Sequence, residues 1–285
     1  MKSTNPFYKL IPILLLAVLV SVFAQQPVRT ETTVDAELAS ICGENSSPYA
    51  ERVMLIHRLP SNLAPEQLER CRAFLGSPLA GQPLPDLEFN GLKNELVFAL
   101  LRQREGLTEL AELLVRMSRA PDTDATWRDY CVQFLGKCYP CINDAKSRGA
   151  MAEALWEALR TQRTGRAAGS AARQLMTLGR TFPEFPLEKV GAASLEALLD
   201  PSASEATRTA LLQVCGTLGE RGALPLARTL ASRSASAVLR ASAIAAVGML
   251  GDGADLPFLE ELASSGDTRV AIPAQAAIRR IQGRQ

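Results

Sequence analysis

Apolar residues recur along this chain at a helical period. In LPLARTLASR, Leu224, Ala227, Leu230 and Ala231 share one face, and in LPFLEELA, Leu256, Leu259, Leu262 and Ala263 do the same. No stretch alternates polar and apolar residues with the two-residue period of a half-buried strand, so the chain is expected to be all-α. Towards the N-terminus the same pattern predicts helices over 34–42, 48–58, 65–75, 92–103 and 107–119. Pro and Gly break residues 76–90, GSPLAGQPLPDLEFN, which are expected to form a loop.

The helical pattern repeats. RTALLQVCGTLGERGALPLA, starting at Arg208, aligns with RASAIAAVGMLGDGADLPFL, starting at Arg240, at an offset of 32. Arg208 meets Arg240, Gly216 meets Gly248, and Leu224-Pro225 meets Leu256-Pro257. RVAIPAQAAIRRI, from Arg269, continues the series at an offset of 31, and RDYCVQFLGKC, from Arg128, precedes it by 80. SAARQLMTLGR, from Ser170, lies between, which puts the repeat glycines at 136, 179, 216 and 248. Each unit reads as two helices. The first ends near a glycine suited to a left-handed C-cap, and the second opens on a Leu-Pro whose proline lacks an N–H where none is needed. One helical pair cannot bury its own apolar face, so the units are expected to stack as an α-solenoid of antiparallel pairs.

The segment 239–281, LRASAIAAVGMLGDGADLPFLEELASSGDTRVAIPAQAAIRRI, resembles HEAT repeats of the short type, an armadillo-type superhelix. The resemblance rests on the turn residue Asp267, on Leu239-Arg240 opening a first helix, and on Gly-x-Leu-Gly-Asp from Gly248 to Asp252. It is specific over 204–282 and weaker upstream, and Ala271 departs from it where arginine is expected. The implied repeats span about 124–163, 167–199, 204–234, 237–265 and 268–282, after an irregular helical region over 34–120. Such arrays usually bind proteins or act as scaffolds. Some short-repeat relatives are lyases acting on pigments, but no residue here carries that activity over. The chain is therefore expected to bind another protein, to need no cofactor or metal, and not to be an enzyme.

Lys2 and Lys9 precede an apolar run, LIPILLLAVLVSVFA, that ends Val22-Phe23-Ala24 before Gln25-Gln26. This has the form of a cleaved secretory signal over 1–24, and an uncleaved N-terminal anchor is the alternative. Removing it takes two of the 31 basic residues and none of the 30 acidic ones, leaving a net charge of about −1. Neither sign forms long blocks, so no nucleic-acid-binding stripe is expected, and no later segment is long and apolar enough to span a membrane. Residues 25–33 are expected to be a disordered leader, and the protein to be exported to a periplasmic or extracellular compartment.

An exported chain with six cysteines, Cys42, Cys71, Cys131, Cys138, Cys141 and Cys215, invites a disulfide framework. The repeat register argues otherwise for three of them. Cys131 aligns with Leu211 and Ala243, Cys138 with Leu218 and Leu250, and Cys215 with Leu135 and Val247, all apolar core positions. Cys138-Tyr139-Pro140-Cys141 has the spacing of a redox dithiol, and thiol–disulfide exchange is the alternative function. A redox CxxC, however, normally sits at a helix N-terminus, where the dipole lowers the thiol pKa. This one falls at a helix C-terminus, which favours buried thiols or a local structural disulfide. No second CxxC or nearby histidine completes a zinc set. Cys42 and Cys71 bracket the irregular N-terminal turns and are a candidate disulfide.

His57 is the only histidine and has no partner constellation in the sequence, so a packed or surface role is expected. Glu260 and Glu261 are adjacent in a helix and read as a solvated face. Trp156 flanks the stripe of Met151, Ala154, Leu155, Ala158 and Leu159, with Arg160 one turn on. The two are candidate partner contacts if second helices line the concave face, and packing against a neighbouring helix is the other reading.

Overall fold

A computed structural model describes residues 31–43 and 47–284. The signal expected over 1–24 lies outside these residues. Fourteen α-helices follow in chain order among the described residues. They are α1 (Glu31–Ile41), α2 (Tyr49–Arg58), α3 (Pro65–Gly76), α4 (Asp86–Leu100) and α5 (Leu107–Arg119). Then come α6 (Ala125–Cys138), α7 (Ala145–Thr161), α8 (Ala167–Leu178), α9 (Leu187–Leu199) and α10 (Glu205–Leu218). The last are α11 (Leu224–Arg233), α12 (Ala237–Leu250), α13 (Leu256–Ala263) and α14 (Thr268–Gln282).

The helices alternate between two layers. Even-numbered helices pack on one another from α2 to α14, and odd-numbered helices pack alongside from α1 to α9. The apolar stripes meet between the layers in one continuous core that runs from Val34 to Ile281. The fold is an all-α, HEAT-like solenoid. The alternation already holds in the region expected to be irregular, because α2 packs on α4 and α3 on α5 just as later helices do.

Side-chain caps set where most even helices begin. Asp124 accepts from Thr126 N and Trp127 N at α6, Ser204 from Thr207 N at α10, and Ser236 from Leu239 N at α12. Asp267 accepts from Arg269 N at α14. Each supplies an oxygen to amides that would otherwise lack a partner in the first turn. The prolines of the Leu-Pro pairs lie in the first turns of α11 and α13, as their missing N–H predicts.

The arginine that opens each aligned unit is a clasp. Arg128 Nη2 donates to Ala120 O, Pro121 O and Thr123 O at 3.1, 2.9 and 2.7 Å. Arg208 Nη2 reaches Asp200 O and Pro201 O, both at 3.2 Å, and Arg240 Nε reaches Ala231 O at 2.7 Å. In each case a guanidinium in the first turn of an even helix satisfies carbonyls at the end of the odd helix before it, where the helix dipole is negative. The same position is Ser170 in α8 and Ala271 in α14, which lack the guanidinium. A further tie joins α11 to the turn before α13. Arg228 Nε donates to the buried Asp255 at 2.6 Å, and Asp252 N donates to its second oxygen. Burial alone would raise the Asp255 carboxyl, but these two bonds hold it below the ordinary carboxylate range.

Four expectations are corrected here. The repeat glycines are not left-handed caps: Gly136, Gly216 and Gly248 lie inside α6, α10 and α12, and the left-handed residue is Gly219 after α10. Their role is close approach. A Cβ on Gly216 would lie 2.4 Å from Met249 Cε, and one on Gly248 would lie 2.6 Å from Ala277 Cβ. α12 and α14 therefore touch nearly backbone to backbone, while at Gly216 the space is filled by the Met249 side chain of α12. Gly179 is not equivalent to them, since it follows the end of α8 and Leu178, eight residues after Ser170, holds the matching helical position. The loop expected over 76–90 ends earlier, because Pro85 leads into α4 with Asp86 and Glu88 in its positive first turn and Phe89 buried. The leader expected over 25–33 gives way at Glu31, where α1 starts and lays Val34, Leu38 and Ile41 into the core; residues 25–30 lie outside the described part.

Candidate functional site

The outer surface of the even layer carries a groove of about 700 Å³ across three consecutive helices. α10 contributes Thr209, Gln213 and Thr217, α12 contributes Ser242 and Met249, and α14 contributes Arg280. The close packing that Gly216 and Gly248 permit lets these helices approach and places Met249 over Gly216 as part of the floor. Thr209 and Thr217 turn their hydroxyls back to Glu205 O and Gln213 O of their own helix, which leaves their methyl groups and the Gln213 amide to face a partner. Arg284, at the end of the groove, donates to Met249 O and Gly251 O and closes the end of α12. Both charged lining residues are arginines, so the groove is shallow, mixed in polarity and electropositive. This groove lies on the layer of first helices, whereas the candidate contacts Trp156 and Arg160 lie on the second helices.

The residues singled out in the sequence do not converge. Trp156 is half-buried on α7, in the odd layer, with Lys189 Nζ of α9 5.0 Å from its ring centroid. Arg160 is exposed one turn on, outside the groove. His57 is exposed and lies 2.9 Å from Glu95 Oε2. Glu260 and Glu261 are both exposed on α13.

The cysteines divide as the repeat register implies. Cys131, Cys138 and Cys215 are buried in the core. Cys138 is the last residue of α6, and Cys141 is exposed in the single 3₁₀ turn that follows. Burial first, and the neighbouring Cys141 second, push the Cys138 thiol up to about 12, the reverse of what an attacking thiolate needs. Cys42 follows α1, and Cys71 is fully buried on α3. Gln67 Nε2 donates to Asp35 Oδ1 at 2.8 Å and ties α3 to α1, and Arg52 Nε from α2 donates to Ile41 O at 2.9 Å. The two cysteines are thereby brought near one another. Burial chiefly, and the Cys42 charge next, push Cys71 up to about 12. No bond joins the pair in the structure.

A second concavity, of about 900 Å³, lies where the loop after α3 crosses α4, the end of α5 and the start of α6. The sequence reading passed over its residues. Lys93 of α4 is 2% exposed, and its Nζ donates to Ser77 O at 2.6 Å. The ammonium lies 4.8 Å from the Phe89 ring centroid and 5.2 Å from that of Trp127. Burial lowers Lys93 to about 8, opposed by Cys131 and Asp124. The signal that could have found it is in the sequence: Asn90 and Lys93 interrupt the buried stripe of Phe89, Leu92, Leu96, Val97 and Leu100.

The family model for HEAT repeats matches residues 192–279. No curated protein matches the chain. Among solved structures, human deoxyhypusine hydroxylase in complex with glycerol is similar, with 16% identity, a TM-score of 0.36, and coverage of 89% of this chain and 97% of that chain. Likeness at that level carries no activity to this chain. It does overturn the expectation that the chain is not an enzyme, because a hydroxylase aligns over nearly the whole array. A helical array without a visible constellation is then no ground for excluding catalysis.

Proposed function

We propose that the helical repeat scaffold, in which residues 192–279 match the HEAT-repeat model, acts by binding. We infer that the scaffold docks a partner protein, and that an extended, acidic or polar segment of that partner lies along the groove on α10, α12 and α14. The observation that carries this reading is the groove itself, which spans three repeats and bears Arg280 with no acidic residue in its lining. A segment crossing it would meet side chains from successive helices at regular intervals, the way repeat arrays present an extended concave surface. Trp156 and Arg160 on the odd layer would contribute only to a partner large enough to wrap onto that side.

Site-directed photo-crosslinking tests the reading. A photoreactive residue at Gln213 is expected to capture one partner, and the same residue at the exposed Glu260 of the odd layer is expected not to. Equal capture from both positions, or none from 213 in the folded protein, would sink it. Arg280→Glu should weaken capture.

The proposed setting is outside the cytoplasm. The support is the basic start, the apolar run and the Val22-Phe23-Ala24 boundary at the N-terminus. No helix among the described residues is long and apolar enough to cross a membrane. Sequencing the N-terminus of the recovered protein decides between a chain that begins at Gln25 and one that keeps its first residues.

A further inference from the structure

The cleft beside Lys93 contains polar atoms whose partners are missing. Asn90 Nδ2 donates to Asp124 Oδ1 at 2.8 Å, and since a carboxylate only accepts, this fixes the amide orientation and leaves Asn90 Oδ1 as a buried acceptor without a donor. Trp127 Nε1 is a buried donor without an acceptor, and the Thr123 hydroxyl has neither. Asn90, Thr123 and Trp127 are 3%, 8% and 1% exposed, and all three line the same cleft. Three of the eleven such atoms among the described residues gather around this one concavity, next to a buried ammonium, which describes a place where something polar binds.

The charges say what kind of molecule fits. The floor holds the Lys93 ammonium and the Trp127 N–H, both seeking an acceptor. The exposed Asp86, Asp122 and Arg116 line the cleft towards solvent, with the half-buried Asp124 beside them. An anion alone would meet the three carboxylates, and a cation alone would meet Lys93 and Arg116. A molecule carrying both charges a few ångströms apart satisfies both levels. We propose that this cleft is a binding site for a small zwitterion of the α-amino-acid class. Its carboxylate lies against Lys93 and Trp127 Nε1, and its ammonium donates to Asn90 Oδ1 and faces the aspartates. The Thr123 hydroxyl completes the carboxylate's shell. The remaining volume accommodates the side chain, and the Gly76–Pro85 loop forms one wall. This site is separate from the groove on the even layer and does not depend on the docking reading.

The chain has two tryptophans, so Trp156→Phe leaves Trp127 as the sole indole reporter inside the cleft. Free L-amino acids are titrated one at a time, with fluorescence on this variant and calorimetry on the unsubstituted protein. Acetate, methylammonium, N-acetylglycine and glycinamide serve as single-charge controls. Saturable binding of at least one amino acid is expected, with the controls weaker by about tenfold or more, the effect of losing one charge-assisted hydrogen bond. Thr123→Val, which keeps the shape and removes the hydroxyl, should weaken binding without changing the far-UV circular dichroism. Absence of calorimetric binding for every amino acid overturns the proposal, and so does equal binding of zwitterions and single-charge controls. Should Thr123→Val fail to fold, the comparison of zwitterions with controls on the unsubstituted protein decides alone.

Discussion

Gly248 of α12 lies directly against Ala277 of α14: a Cβ on Gly248 would lie 2.6 Å from the Ala277 Cβ and 2.7 Å from its backbone Cα. A backbone atom cannot rotate out of the way, so Gly248→Ala must push the two helices apart. The expected loss is about 1–3 kcal/mol, the usual range for overpacking a core. Gly149 of α7 makes the control, since a Cβ there meets nothing within 4 Å. Gly149→Ala should stabilise by up to about 1 kcal/mol through helix propensity. Urea denaturation of both variants checks the pair, and equal effects would show that the glycines are not there for close approach.

Cys42 and Cys71 are held near one another by the Gln67–Asp35 and Arg52–Ile41 ties, so oxidation should join them. The bond would restrict the unfolded chain by about 3–4 kcal/mol in the loop-entropy description. Non-reducing peptide mapping after mild oxidation should show a 42–71 linked peptide, and a reductant should then lower the denaturation midpoint. Recovery of both thiols alkylated after oxidation goes against it.

The two cysteines of the CYPC motif should react very differently. Cys141 is exposed, whereas Cys138 is buried with its thiol pushed up to about 12. Iodoacetamide at neutral pH is expected to modify Cys141 in the folded protein and Cys138 only after unfolding. Equal rates would restore the redox-dithiol reading.

Lys93 should leave a mark on stability at high pH. Its folded pKa is depressed to about 8 from an ordinary 10.5, so between those values the unfolded chain holds more protons than the folded one. Stability contributed through this group therefore rises with pH across that window, and the cost of burying the charge is fully present below about pH 8. The recovered amount is roughly 3 kcal/mol at most. Cys71 and Cys215, both raised to about 12 by burial, act in the opposite direction over the same range. Lys93 and Cys131 act on one another, so both proteins carry Cys131→Ala and share the remaining thiols, which isolates the lysine: the protein with Lys93 should gain on its Lys93→Met variant as pH goes from 8 to 10.5. A constant difference contradicts the assignment.

The repeat was legible because its signals are local. Leu-Pro at 224–225 and 256–257 suits a helix's first turn on local grounds, and the periodicity of Leu256, Leu259 and Leu262 needs no knowledge of neighbours. The core positions of Cys131, Cys138 and Cys215 followed from register alone. The repeat glycines were seen but given the wrong cause, because a close approach between α12 and α14 is a relation between helices that one helix's sequence does not contain. α4 starts earlier than its sequence suggests because Pro83 and Pro85 dominate locally, while packing of Phe89 against Phe74 of α3 and the Asn90–Asp124 bond decide the start. The Lys93 cleft lay hidden for the same reason. Whether Asn90 Oδ1 or Trp127 Nε1 has a partner depends on where four separate segments meet.

The arginine clasps make the stiffness of the array uneven. Arg128, Arg208 and Arg240 each fasten one unit to the odd helix behind it, while the joints at Ser170 and Ala271 go without. A pull applied at the two ends passes through every joint in series. The protein behaves as a chain of clipped segments with two joints that lack this clasp, one between α7 and α8 and one between α13 and α14. Arg284 fastens the end of α14 to α12 instead, so under load the joint between α7 and α8 would yield before any clasped pair opens.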